Sequence, residues 1–169
     1  MMKAIGDSAF VSIMGRKNVP AKIDTGADSS SIWASDIHIR RDHTLHFKLF
    51  APKSPFYTGK VVKRTDYKVA VVRSATGHEQ IRYRTHIPIN LHGRTIRVLF
   101  NLSDRSRNNF PILIGKRTIA GKFLVDVTQK VVKYPKIARS TKLQQKLAQN
   151  PYKFHQKYIK STKKEKDIK

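Results

Sequence analysis

Between Ala9 and Val127 the apolar residues fall at alternate positions in short runs, and turn-forming residues interrupt each run before it reaches helical length. Alternation sends successive side chains to opposite faces, so such a run buries one face only as a β-strand. Leu45, Phe47 and Leu49 stand on one face against His46, Lys48 and Phe50, and Ile87, Ile89 and Leu91 stand against His86, Pro88 and Asn90. Residues 9–14 and 19–23 read as a hairpin around Gly15-Arg16-Lys17-Asn18. Pro52 and Pro55 make residues 51–60 a loop, and 61–72 a strand region with a turn or bulge at Lys63-Arg64-Thr65-Asp66. Val69–Val72 and Gln80–Tyr83 flank a second hairpin with Gly77 near its tip. Pro88 points to an edge or a bulge, and Trp33 to a core anchor. Many short strands of this kind make an all-β domain, closed or nearly closed into a barrel.

The polar residues with chemical potential gather in Ala21-Lys22-Ile23-Asp24-Thr25-Gly26-Ala27-Asp28-Ser29-Ser30-Ser31-Ile32. An apolar lead-in delivers Asp24 onto a tight turn, Gly26 and Ala27 admit other backbone closely, and the serines lead back into apolar residues. Alone, this fits an ordinary strand-ending turn. A second stretch, Phe110 to Ile119, is an apolar strand that ends on Gly115 and runs into a short helix.

The two stretches together resemble an aspartic protease of the retroviral type. Asp-Thr-Gly-Ala-Asp at 24–28, Leu113-Ile114-Gly115, and Asn90-Leu91-His92-Gly93-Arg94 between them stand in the order and spacing of retropepsins. Val72 to Gly77, Leu102 to Ser106 and Gly121 to Asp126 are similar to a bacterial retropepsin-like family whose members travel with a ribosomal-protein glutamate ligase. Many of those were once labelled ATP-dependent zinc proteases. The resemblance implies an acid-protease barrel over residues 1–133, with Asp24 catalytic, Thr25 and Gly26 supporting it, and Ala27 and Asp28 beside the substrate. It implies that the second hairpin is a flap, with Ser74, Ala75, Thr76 and Gly77 against the substrate and Arg73, Arg82 and Arg84 on its arms. Ile114, Gly115 and Lys116 take a structural place. Asp28 stands where the bacterial family has a basic residue and matches the viral pattern, in which it bonds substrate backbone and pairs with a base after the glycine, here Lys116 or Arg117.

Aspartic-protease chemistry needs two carboxylates sharing a proton, one to activate water and one to protonate the scissile carbonyl. With one Asp-Thr-Gly in 169 residues, the expectation is a homodimer in which Asp24 meets its mate across a two-fold axis. No cofactor is implied. Nothing in the spacing of His38, His43 and His46 puts them on a common face, H-E-x-x-H is absent, and no metal site is expected. Ser29, Ser30 and Ser31 have no base in recognisable spacing, so serine chemistry is not supported.

Charge bears on the partner. With 35 Lys and Arg against 11 Asp and Glu the net charge is +24; residues 130–169 carry 13 basic and 2 acidic side chains, or +11, which leaves +13 on residues 1–129. Such a surplus favours nucleic acid, an anionic surface or an acidic peptide, and with the family's link to glutamate ligation the expected substrate is an acidic or glutamate-rich segment. Residues 134–169 form a basic extension with a helix from Ser140 to Gln149, a stop at Asn150-Pro151, a second helix over 152–159 and a disordered end. Tyr152, Phe154 and Tyr158 among lysines suit contact with RNA or the ribosome, so the alternative function is a nucleic-acid or ribosome binding module on a protease-like barrel. The absence of cysteine, of an eighteen-residue apolar run and of a signal-peptide core gives the expectation of a soluble, cytoplasmic protein with no membrane partner.

Overall fold

The computed structural model describes residues 2–73, 79–129, 131–133 and 141–157. The alternating runs become β1 (Lys3–Ile5), β2 (Ser8–Ile13), β3 (Arg16–Asp24), β4 (Ser30–Ile39), β5 (Leu45–Leu49), β6 (Val61–Arg64), β7 (Tyr67–Arg73), β8 (Glu79–Leu91), β9 (Arg94–Ser103), β10 (Ile112–Gly115) and β11 (Phe123–Val125). Six of these close a ring in the order β10-β3-β2-β8-β9-β4, and β4 returns to β10 to complete the barrel. β5 and β6 extend the sheet from β4, β7 pairs with β8, and β1 pairs with β11 in parallel. Closure leaves the ring without an edge strand. Inward-facing Val19, Ile32, Ile87, Leu91, Phe100, Ile112 and Ile114 fill it.

Three local expectations need correction. The first hairpin turns at Met14-Gly15, both with positive φ (45° and 80°), so that β3 already begins at Arg16. A two-residue turn of that hand matches the strand twist, and Asn18, at φ 55°, carries the irregularity instead. Phe50 is not an outward counterpart of Leu49: its backbone swings to φ 65° just past β5, and the ring is fully buried, 5.8 Å from Phe56. Pro88 lies inside a ring strand, neither at an edge nor at a bulge: β8 pairs with β7 as far as Thr85 and with β2 only from Ile89, and Pro88 falls in the gap on that flank while still facing Arg97 of β9.

A short helix α1 (Lys116–Ile119) follows β10 directly. Chain contacts divide the protein between Pro135 and Lys136. In the second unit α2 (Thr141–Gln149) is followed by α3 over residues 151–157. Asn150 caps α3 by accepting the Lys153 amide on Oδ1 at 3.0 Å, and Pro151 fits the first helical position because no backbone donor is needed there. The expected cap Ser140, Tyr158 and residues 161–169 lie outside the described residues. Among the described residues no helix is long and apolar enough to cross a membrane.

β10 lies between β3 and β4. It runs parallel to β3, with Gly115 opposite Asp24, and antiparallel to β4, with Ile112 opposite Ile32. The segment 25–29 that joins β3 to β4 therefore passes over the end of β10, where Gly115 has ordinary extended backbone (φ −84°) but no room for a side chain. A Cβ there would stand 2.6 Å from the Ser29 carbonyl and 2.8 Å from the Ala27 oxygen. Gly115→Ala is expected to destabilise the fold by about 3 kcal/mol, since backbone must move to accept the methyl; urea unfolding that shows no loss would remove this close approach from the account of the fold.

Candidate functional site

Asp24 is the last residue of β3 and is half-buried. Its Oδ1 accepts the amides of Gly26 at 3.0 Å and Ala27 at 3.1 Å, which sets the carboxylate plane and leaves Oδ2 for another partner. Thr25 and Gly26 are exposed on the outer surface of the loop. Below them the loop is tied to the strand-helix junction: the Lys116 amide donates to the Ala27 carbonyl at 2.7 Å, the Arg117 amide to the Asp28 carbonyl at 3.3 Å, and the Gly115 amide to Ser30 Oγ at 3.0 Å. Ser30 Oγ and Thr118 Oγ1 share a further bond at 2.8 Å, both residues being buried. Ile114, fully buried and opposite Ile23, anchors the junction in the core.

Lys116, not Arg117, pairs with Asp28, Nζ to Oδ1 at 2.6 Å. The Lys116 ammonium, by hydrogen bond and by charge, holds the Asp28 carboxyl below the usual carboxylate range.

Two polar residues near this loop were not singled out by sequence reasoning, and one of them, Asn101, bridges the loop to β8. Asn101 of β9, buried, donates from Nδ2 to Ser29 Oγ at 2.9 Å and to the Ser30 carbonyl at 3.1 Å, and its Oδ1 accepts Arg84 Nε at 2.6 Å. Arg105, half-buried on the polar loop after β9, donates Nε to the Phe110 carbonyl at 3.0 Å. Burial draws its guanidinium below the usual arginine value; the Arg82 charge acts in the same sense and the Asp24 carboxylate opposes it. The only advance signal was position, since Arg105 lies within a family-like segment and Asn101 immediately precedes it.

Arg82 and Arg84 lie on the face of β8 that looks toward the loop, because Arg84 stands opposite Asn101 and bonds it. Tyr83 is on the other face with Val69, Val71 and Ile81, and those three are 57%, 64% and 64% exposed. Ser74, Ala75, Thr76 and Gly77 lie outside the described residues. Contrary to the expectation from spacing, His38 and His46 share a face, opposite each other on β4 and β5 with ring centroids 5.5 Å apart; His38 Nδ1 faces the Asp36 carbonyl and His46 Nε2 the Thr44 hydroxyl, and among the described residues no three His, Cys, Asp or Glu side chains are grouped to hold a metal.

A closed barrel that carries Asp-Thr-Gly on a loop passing over an apolar-apolar-Gly strand has the retropepsin-like fold. The chain belongs to the RimB-like family, described as retropepsin-like aspartic endopeptidase RimB, whose model matches residues 5–136. It is similar to probable alpha-L-glutamate ligases of Desulfotalea psychrophila (23% identity over 73% of this chain and 28% of that protein) and Shewanella pealeana (26% over 69% and 26%). The chain thus spans about a quarter of the length of these curated relatives. A crystal structure of a protein of unknown function from Legionella pneumophila shares the fold, with a TM-score of 0.59 at 22% identity over 75% of this chain and 95% of that one.

The Asp28-Lys116 pair sets a pH dependence of stability. A depressed folded-state value means that its contribution is present above about pH 4 and disappears as pH falls through the lowered value. Both side chains are more than half exposed, so the effect is small and screened. The melting-temperature difference between the native chain and Asp28→Asn is expected at about pH 6, and it should vanish near pH 2 and in about 1 M salt.

Proposed function

We propose that the protein is an aspartic endopeptidase that acts as a homodimer, with one Asp24 from each subunit, on acidic peptide segments. The observation that carries this reading is the presentation of Asp24: Oδ1 is locked by the Gly26 and Ala27 amides while the loop bearing it is exposed. Two such loops facing across a two-fold axis bring together two carboxylates, of which only one ionises. The ionised member takes a proton from water as its oxygen adds to the scissile carbonyl carbon, and the protonated member donates to the carbonyl oxygen. Collapse of the tetrahedral adduct breaks the C–N bond as a proton passes to the amine. Thr25, exposed beside Asp24, is suited to bonding its counterpart across the axis.

Acidic substrates are favoured by Arg82, Arg84 and Arg105 around the loop, by the +13 carried on residues 1–129, and by the match to part of proteins named as probable glutamate ligases. Asp24→Asn is expected to cut peptide cleavage by about a thousandfold or more while leaving melting unchanged. Sedimentation should show self-association that Thr25→Ala weakens; a strictly monomeric chain that cleaves peptides would sink the shared-dyad mechanism. Nucleic-acid binding by the basic extension is separable, because deleting residues 134–169 would abolish RNA binding and spare cleavage.

The flap-arm arginines provide the substrate test. Arg82→Gln with Arg84→Gln should raise KM for acidic peptides by roughly tenfold per lost guanidinium-carboxylate pair, with neutral peptides little changed. Equal losses on both peptide types would remove these arginines from substrate selection.

A further inference from the structure

Beside the Asp24-Asp28 loop, a cavity of about 220 Å³ is walled by Ser29 and Ser30, by Arg117 and Thr118 of α1, by Arg84 of β8, and by Lys122. Its lining is completed by His86 of β8 and by Ile96, Arg97, Val98 and Leu99 of β9. Asp24 does not line it, and neither does any acidic residue. Two carboxylates adjoining its lining are already engaged: Asp66 takes Arg97, which lines the cavity, at 3.1 Å, and Asp28, next to Ser29 in the chain, takes Lys116 at 2.6 Å. Arg117 and Lys122 have no carboxylate in salt-bridge contact among the described residues; Arg117 feels Asp28 only at longer range, and Lys122 makes a long 3.4 Å bond to the Ala120 carbonyl. Cations facing one concavity without a counter-charge repel one another, and an anion entering it relieves that repulsion.

The walls indicate which anion. Ser29 follows Asp28 directly, and Arg84 lies two residues from Arg82 on the same strand face, so an extended peptide lying along the loop under the flap arm reaches this cavity at its far end. We infer that this cavity is a distal subsite for a carboxylate side chain of the peptide substrate, bound by Arg117 and Lys122 with the Thr118 and Ser29 hydroxyls beside it. The inference rests on the acidic-peptide reading above and adds a second point of selection, remote from the bond that is cut. The subsite acts on affinity, so it distinguishes peptides with spaced acidic residues from those with a single one.

The test uses the full chain carrying Asp24→Asn and a fluorescent glutamate-rich peptide, with binding followed by anisotropy. Arg117→Gln or Lys122→Gln should each weaken binding by about fivefold and the pair by at least about twentyfold, while the matching all-glutamine peptide changes little. Lys17→Gln with Lys60→Gln, which removes the same charge from exposed positions outside the cavity, should cost less than about twofold. Equal losses in the two double variants would overturn the subsite in favour of a general field. A short single-stranded RNA that binds more tightly and loses as much in the Arg117/Lys122 variant would reassign the cavity, and failure of the peptide to bind at all would also overturn the proposal. Cleavage by the native chain is scored separately. If it is absent while pocket-dependent binding persists, the peptidase reading fails and the subsite stands; if acidic peptides are cut equally well by the Arg117/Lys122 variant, the reverse holds.

Discussion

The position of β10 between β3 and β4 shapes everything around Asp24. Strands consecutive in the chain would ordinarily pair with each other, but here a later strand takes the place between them and hydrogen-bonds both. The joining loop must then cross the end of β10, and the crossing has no slack. Gly115 sits under the loop without a side chain, Ser30 and Thr118 satisfy buried polar groups beneath it, and the Lys116 and Arg117 amides hold it from below. A carboxylate on such a loop is preorganised, because its own strand, the loop amides and the underlying helix all fix its direction before any partner arrives.

The basic side chains are not one undifferentiated field. Lys116 is committed to Asp28, Arg97 to Asp66, and Lys22 to Asp7 at 3.0 Å, which leaves other cations to face concave surfaces near the loop. Arg84 reaches the loop through Asn101, so β8 and the Asp24 segment are coupled by hydrogen bonds and not only by proximity. Paired cations contribute little net potential, so the potential around the loop comes mainly from the cations without a carboxylate partner.

Much of the barrel is legible in the residue order because a period of two is a strong local signal. Leu45, Phe47 and Leu49, and Ile87, Ile89 and Leu91, are buried as their alternation requires. The misread details are those in which a single backbone angle overrides the pattern. Met14 and Gly15 compress the first turn, and the left-handed Phe50 sends inward a ring that strict alternation sends outward. Pro88 was misread for a different reason, since whether a strand's flank is paired at one residue depends on two other strands.

Residue order alone determined the strand content, the delivery of an aspartate onto a glycine turn, and the apolar strand ending on Gly115, because these are set by neighbours in sequence. Only the tertiary structure decided that Lys116 and not Arg117 meets Asp28, that Asn101 and Arg105 attend the loop, and that Arg117 and Lys122 share a cavity with Arg84. Those pairings join residues far apart in the chain through the register of β8, β9 and β10. A shift of one residue in any of these strands would turn the side chains to the opposite face and leave the local pattern of the sequence unchanged.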